Sequence, residues 1–232
     1  MRSVVDAMGG ETRVVDLSHV VVAGMTTYPG LPGPEITDHL SRADSRGRYA
    51  PGTEFQIGRI SMVANTGTYL DTPFHRFGDG ADLAGVPLSG LVDLDGVVIR
   101  AERRAVGAAD LSPYRALIPG RAVLVHTGWD RHWGTVEYAD PGHPYLTAEA
   151  TELLAALRPA VVGIDSVNID DMADLSRPAH TGLLAAAIPI IEHMTGLDRL
   201  PDRDFRFHGA PIAVAGMGTF PIRAYALVGR RE

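Results

Sequence analysis

Residues 65–75 read Asn-Thr-Gly-Thr-Tyr-Leu-Asp-Thr-Pro-Phe-His and are the densest group of chemically useful side chains in the sequence. Gly67 permits a tight bend, and Pro73 stiffens the exit from the segment. Asp71 and His75 are four positions apart, and the proline between them favours a rigid turn over a helix. Such a turn can direct both side chains into one cleft, as a proton relay or as two metal ligands. The alternative is a surface turn whose aspartate is solvated.

The amino-acid composition limits the chemistry that the chain can perform. Its 232 residues include no cysteine, and all 21 basic residues are arginine. This excludes thiol nucleophiles, disulfides and cysteine-bound zinc, and also a Schiff-base or phosphate-loop lysine. A metal would need His, Asp, Glu or carbonyl ligands. The net charge of −7, from 28 acidic and 21 basic residues, argues against nucleic acid and anionic membranes as partners.

Two further features concern location and domain number. The first ten residues lack the apolar core of a signal peptide, and the longest uncharged apolar run, residues 182–191, is too short to cross a bilayer. We therefore expect a soluble, cytoplasmic protein. No linker-like segment divides the chain, so we expect one domain over residues 1–232.

Hydrophobic patterning predicts a mixed α/β domain in which strands outnumber helices. The clearest helix is predicted over residues 148–158, capped by Thr147, and a second helix over residues 179–187. The polar stretch of residues 28–52, rich in Gly and Pro, predicts a long loop or lid. Strands are predicted at residues 55–64, 97–100, 122–125, 161–164, 190–194, 213–215 and 223–228.

His180 and Glu192 stand at the two ends of an apolar run. A glutamate beside Ile190, Ile191 and Met194 should have a partner or a metal, because burying an unpaired carboxylate is costly. The alternative is that His180 merely begins a helix and that Glu192 faces outward from a strand. The glycine patterns typical of a dinucleotide-binding fold or a nucleophile elbow do not occur at the required positions.

These features together resemble the putative cyclase family, typified by bacterial kynurenine formamidase and related to isatin hydrolase. The family motif His-x-Gly-Thr-His-x-Asp-x-Pro-x-His is matched by residues 65–75, except at Asn65 and Tyr69. The twelve-position spacing between His180 and Glu192 is also that of the family. Further similar segments occur in the family's order at residues 16–18, 28–30, 124–129, 143–144, 163–165 and 221–224. The resemblance implies a swivelling β/β/α fold and a homodimer or homotetramer.

The resemblance also implies a role for each matched residue. In two-metal members of the family, an aspartate and a glutamate bridge the ions, and Asp71 and Glu192 match them. His180 matches the ligand of the second metal, and His75 matches the residue that moves protons.

The two departures from the motif affect one metal only. Asn65 and Tyr69 replace both histidines that would bind the first metal. A neutral amide and a phenol with a pKa near 10 are poor zinc ligands. We therefore expect one divalent metal, zinc or manganese, on Asp71, His180 and Glu192, with a vacant position for water.

Three functions are consistent with these residues. The first is hydrolysis of a small amide, lactam or lactone, in which the metal activates water and His75 transfers protons. The second is a metal-independent cyclisation, dehydration or isomerisation of secondary metabolism. His75 would be its base, and Tyr69 or protonated Glu192 would stabilise a developing negative charge. The third is a non-catalytic binding protein that retains the cleft.

Contacts with the small-molecule substrate are predicted for Tyr28, Asn65 and Trp129. For the two aromatic residues, simple core packing is the alternative. Three acidic residues after the predicted strand at 161–164 could reach the cleft, although such loop residues are usually solvated. They are Asp165, Asp170 and Asp171.

Overall fold

A computed structural model describes residues 12–229, which fold around a nine-stranded sheet. In chain order, the strands are β1 Arg13–Asp16, β2 Glu35–Leu40, β3 Ile57–Ser61, β4 Tyr69–Asp71, β5 Leu94–Arg100, β6 Ala105–Val106, β7 Ala122–His126, β8 Tyr145–Leu146, β9 Val161–Ile164, β10 Ile190–Glu192, β11 Phe205–His208, β12 Thr219–Pro221 and β13 Tyr225–Val228. The α-helices are α1 Arg42–Ser45, α2 Ala108–Leu111, α3 Ala148–Leu157 and α4 Pro178–Ala185.

Parallel strands form the middle of the large sheet, in the order β5, β7, β9 and β10. Every residue of β7, β9 and β10 is buried, which explains why their sequences are almost continuously apolar. Antiparallel strands extend the sheet on both sides, with β11, β13 and β1 beyond β5, and β4 and β12 beyond β10. The edge formed by β10, β4 and β12 carries the residues of the sequence motif.

The sheet has an apolar core on each face. Successive residues of β7 alternate between the cores, with Leu124 in one and Val123 and Val125 in the other. Helices α3 and α4 cover the second face through Leu154 and Leu183. The predicted mixed α/β class is therefore confirmed.

Both predicted helices are present. Helix α3 begins after Thr147, whose hydroxyl accepts the N–H of Ala150 at 3.3 Å, and it ends at Arg158, where φ is +53°. The second, α4, begins one residue earlier than predicted because Pro178 is suited to the first helical position. It ends two residues earlier, shortly before Ala187 adopts a φ of +58°.

Six of the predicted strands are present, with changes of a few residues at their ends. The prediction of a strand at residues 213–215 is wrong. The adjoining residues Gly216 and Met217 form hydrogen bonds with a loop, not with a strand. The N–H of Gly216 donates to Asp82 Oδ2 at 2.7 Å, and the N–H of Leu83 donates to the carbonyl of Met217 at 2.9 Å.

The prediction of a long loop over residues 28–52 is also wrong. This stretch contains α1 and β2, and β2 forms an antiparallel hairpin with β3 that is separate from the large sheet. Ser41 begins α1 by accepting the N–H of Asp44 at 3.2 Å. The many turn-forming residues around these short elements conceal their pattern in the sequence.

Within residues 12–229, no helix combines the length and apolarity needed to cross a membrane. The first ten residues, on which the expectation about a signal peptide rests, lie outside the described part of the chain. A single domain over residues 1–232 stays a prediction.

Candidate active site

Residues 65–75 form the loop before β4, β4 itself and the turn that follows it. Pairing of β4 with β10 places Tyr69 directly opposite Glu192. A single 3-10 turn after β4 then brings His75 back towards Asp71. The rigid-turn interpretation of this segment agrees with the structure.

Four side chains converge beside this turn, and we call Asp71, His75, His180 and Glu192 the acid–base cluster. The Nε2 atom of His180 lies 3.7 Å from Asp71 Oδ2 and 3.7 Å from Glu192 Oε1. The Nδ1 atom of His75 lies 3.7 Å from Asp71 Oδ1. Both carboxylates are buried, whereas the side chain of His75 is 36% exposed. The cluster therefore reaches solvent through His75.

Asp170 holds His180 in this orientation. Its Oδ2 accepts from Nδ1 of His180 at 2.6 Å and from the backbone N–H of His180 at 3.1 Å, and its Oδ1 accepts from the backbone N–H of Ala179 at 2.5 Å. With Nδ1 used in this way, Nε2 of His180 is directed at the cluster. The expectation that Asp170 is solvated is wrong, because the residue is fully buried.

Thr219 connects Asp71 with His75. Its hydroxyl donates to Asp71 Oδ1 and lies 2.8 Å from Nδ1 of His75. Since the single hydroxyl proton goes to the carboxylate, the oxygen accepts from Nδ1–H of His75, and Nε2 remains free to take a proton. No local sequence signal identifies Thr219, which is 148 residues from Asp71 and reaches it only because β12 pairs with β4.

Opposing influences set the charges in the cluster. Burial disfavours the charged form of His180, but Glu192, Asp170 and Asp71 outweigh it and raise the pKa of His180 well above its ordinary value. Burial also opposes ionisation of Asp71, but its interactions with His180, His75 and Thr219 lower the pKa of Asp71. Burial raises the pKa of Glu192. A divalent cation bound between these carboxylates would supply the positive charge that the imidazolium supplies here.

Tyr69 and a backbone amide hold Glu192. The Tyr69 hydroxyl lies 2.7 Å from Oε2, and the N–H of Ile169 donates to Oε1 at 2.6 Å. Burial and the charges on Glu192 and Asp71 raise the pKa of Tyr69 well above its ordinary value. Tyr69 is thus a neutral hydrogen-bond donor here.

A cavity of about 470 Å³ opens above the cluster. Tyr28 and Asn65, both predicted to contact substrate, line it. Other residues of its wall are Leu31, Tyr69, His75, Arg76, Asn168, Leu175, Ser176, Arg177, His180 and Glu192.

Trp129 lies elsewhere, and the structure does not bring it to the cavity wall. Its indole N–H donates to the carbonyl of Tyr138 at 3.0 Å, and its ring packs against His132 with centroids 4.7 Å apart. Trp129 therefore stabilises a turn, and its predicted contact with substrate stays a prediction.

The chemistry of the donor atoms fits a divalent cation. Asp71, His75 and His180 each offer one ligand atom, and these atoms lie within 4.8 Å of one another. Oδ2 of Asp71 is buried and has no hydrogen-bond partner among the described residues, although it faces His180. Imidazole and carboxylate are ligands of zinc and manganese. Glu192 also lies beside His180. With Asp71 and His180 as two ligands, His75 and Glu192 are therefore the alternatives for the third.

Comparison with known proteins places this geometry in context. A family model described as "Putative cyclase" matches residues 15–171. A kynurenine formamidase of Bacillus anthracis is 24% identical over 210 residues, which are 90% of this chain and 95% of that protein.

Solved structures establish the same fold. Isatin hydrolase A from Labrenzia aggregata, bound to benzyl benzoate, matches with a TM-score of 0.80 at 22% identity, covering 94% of each chain. A potential metal-dependent hydrolase with cyclase activity matches with a TM-score of 0.77 at 23% identity, covering 96% of this chain and all of the other. The fold implied by the sequence motif is therefore confirmed.

Proposed function

Because this chain belongs to the putative cyclase family, we propose that it is a hydrolase acting on a small amide, lactam or lactone. One divalent metal, zinc or manganese, is held by Asp71, His180 and Glu192. His75 transfers the proton. The names of the similar proteins, two of which are hydrolases of small molecules, support this assignment.

One observation carries the proposal. Oδ2 of Asp71 and Oε1 of Glu192 both face Nε2 of His180, each at 3.7 Å. Oδ2 of Asp71 has no hydrogen-bond partner among the described residues. Ligands bound at zinc distances in a tetrahedral site are about 3.3–3.6 Å apart. Small side-chain movements would bring these atoms to a common cation.

The residues at the two departures from the motif favour a single ion. Tyr69 is fully buried, neutral and engaged with Glu192, and Asn65 offers only an amide. Neither supplies the imidazole that a second zinc ion would require.

The protein's own groups then perform defined tasks. A bound cation supplies Lewis acidity towards a carbonyl and towards water. Nε2 of His75, left free by the hydrogen bond from Nδ1 to Thr219, accepts a proton from the attacking water and passes it to the leaving group. Tyr28, Leu31 and Asn65 surround the substrate in the cavity.

Elemental analysis of protein purified without added metal tests the proposal. We expect about one equivalent of zinc or manganese in the wild type, and none in Glu192→Ala. Retention of metal in Glu192→Ala together with its loss in His75→Ala would transfer the ligand role to His75. Metal-free wild-type protein whose hydrolysis of aryl formamides and lactones resists chelators would refute the metal.

The hydrogen bonds from Tyr69 to Glu192 and between Thr219 and His75 favour a second candidate, a metal-independent cyclase, dehydratase or isomerase. In it His75 is the base, and Tyr69 or protonated Glu192 stabilises an enolate or alkoxide. Turnover that withstands chelation but is lost in His75→Ala supports this candidate. Loss of turnover in His75→Ala of an enzyme that contains metal supports the metal-dependent hydrolase. Circular dichroism verifies that His75→Ala is folded.

The proposal includes self-association. The β2–β3 hairpin is exposed on both faces and carries apolar side chains, including Ile36, Ile57 and Ile60. A two-stranded hairpin is only marginally stable alone in water, so cover by a second copy in a homodimer or homotetramer would stabilise it. Light scattering gives the mass of the assembly directly, and a monomer would refute this part.

A further inference from the structure

A chain of three hydrogen bonds leads from Glu192 into the protein, away from the cavity. Tyr69 Oη lies 2.7 Å from Glu192 Oε2, Nε2 of His193 lies 3.3 Å from Tyr69 Oη, and Tyr138 Oη lies 2.9 Å from Nδ1 of His193. All four side chains are buried, at 4% exposure or less. Tyr138 and His193 have no part in the proposed reaction.

The chain has a single direction when Glu192 is ionised. A carboxylate only accepts, so the Tyr69 hydroxyl donates to Oε2. The Tyr69 oxygen then accepts from Nε2–H of His193, and Nδ1 of the same ring accepts the hydroxyl proton of Tyr138. One neutral tautomer of His193 satisfies every bond, which makes the order of donors self-consistent.

The backbone at His193 is what brings this ring to Tyr69. Successive side chains of a strand point to opposite faces, so His193 should point away from Glu192. Instead its φ is +55°, which is unfavourable for a residue with a side chain, and β10 ends one residue earlier. The hydroxyl of Thr68 donates to the carbonyl of His193 at 2.6 Å and holds this conformation.

Packing fixes the far end of the chain. The Trp133 ring meets Tyr138 and His193 edge-on, with centroids 5.0 Å and 5.8 Å away. His19 stacks on Trp133 with a centroid distance of 3.9 Å. The donors therefore cannot rotate away from their acceptors without disturbing a packed aromatic group.

We propose that Tyr138, His193 and Tyr69 are positioning residues that orient Glu192 for a single cation, taking the structural role of the second ion that the departures at Asn65 and Tyr69 remove. The inference rests on the proposed metal function. Oε2 is held by the chain, and Oε1 stays on the His180 side, where the cation would bind. Loss of the chain leaves Oε2 buried without a partner, and only the N–H of Ile169 then orients the carboxylate.

Metal affinity of the full-length protein tests this inference, with zinc and a competing chromophoric chelator. Removing a group that orients a metal ligand typically weakens binding 10- to 100-fold. We expect a loss of that size in Tyr69→Phe and about tenfold in His193→Leu. His193→Gln should stay within about threefold of the wild type, because its amide can still donate to Tyr69. Tyr114→Phe, a partly buried tyrosine packed against the core on the other face, is the matched control.

A double-mutant cycle makes the test independent of zinc. If Tyr138 acts on Glu192 through His193 and Tyr69, the effects of Tyr138→Phe and Glu192→Gln on urea unfolding of the metal-free protein will not add. Additive effects, or unchanged zinc affinity in Tyr69→Phe and His193→Leu, would overturn the inference. Wild-type protein that binds no zinc while the cycle is non-additive would refute the metal function alone.

Discussion

His180 and His193 are both buried and both near Glu192, yet their charges differ. His180 lies among three carboxylates, and the pKa of its ring is raised well above the ordinary value despite burial. His193 lies between two phenols, and burial lowers its pKa to about 3. Burial alone thus does not decide whether a histidine is charged, because its neighbours determine whether desolvation is compensated. One side of Glu192 is suited to a cation, and the other side is neutral.

The largest effect is expected from changing the charged side. Replacement of His180 by Asn should eliminate bound metal, because the remaining carboxylates lose the nitrogen that both face. Elemental analysis after dialysis measures the stoichiometry, which should fall from about one to near zero. A full equivalent of metal in His180→Asn would remove this histidine from the ligand set.

Asp170→Asn tests whether the orientation of His180 matters as well as its presence. An amide group has one acceptor oxygen where the carboxylate has two, so it cannot accept all three N–H groups that Asp170 now binds. We expect metal affinity to weaken 10- to 100-fold. Asp171→Asn is a matched control, because that neighbouring carboxylate pairs with Arg104 instead. Equal affinities of the two variants would contradict the role of Asp170.

The neutral side predicts a dependence of stability on pH. Below its ordinary pKa of 6.5, the unfolded state binds a proton at His193 that the folded state excludes until about pH 3. Stability from this residue is therefore present above pH 6.5 and is lost as the pH falls. The loss between pH 7 and pH 5 is about 2 kcal/mol.

Urea unfolding at both pH values measures this loss, and comparison with His193→Gln isolates it. Since glutamine does not titrate, the variant should show a smaller decline of the free energy of unfolding. Identical declines in the two proteins would show that His193 is accessible to protons when folded.

The smallest change in the readout is expected from restoring the two motif histidines. The double variant Asn65→His, Tyr69→His replaces neutral groups by imidazoles beside Glu192 and breaks the hydrogen bond from Tyr69. Metal content should rise from about one equivalent to two. If it does not rise, the ligand assignment transferred from the family motif is incorrect.

Local elements were predictable where the residues of a short segment by themselves favour one secondary structure. Residues 161–164 are apolar throughout and form β9. Thr147 caps the N-terminus of α3, as its position before the helical pattern predicts. Strand β2 of the hairpin was missed because the alternation of its residues is weak and most of them are exposed. Hydrophobic patterning indicates which residues are buried, and nearly all residues of this hairpin are exposed.

The candidate site shows the same division. Asp71, His75, His180 and Glu192 were predicted from the motif and its spacing, and the structure brings them together. Trp129 was predicted to contact substrate from its residue type, and the structure does not place it on the wall of the cavity. Residue type does not encode direction, which depends on the backbone and on packing.

The sequence by itself determined the composition limits on the site, the family resemblance and the four groups of the acid–base cluster, because these depend on residue types at set spacings. Only the tertiary structure decided how those groups are oriented. Thr219, Tyr138 and His193 act through pairings of distant segments or through an unusual φ. Such contacts form when the sheet assembles, and a single sequence carries no local signal for them.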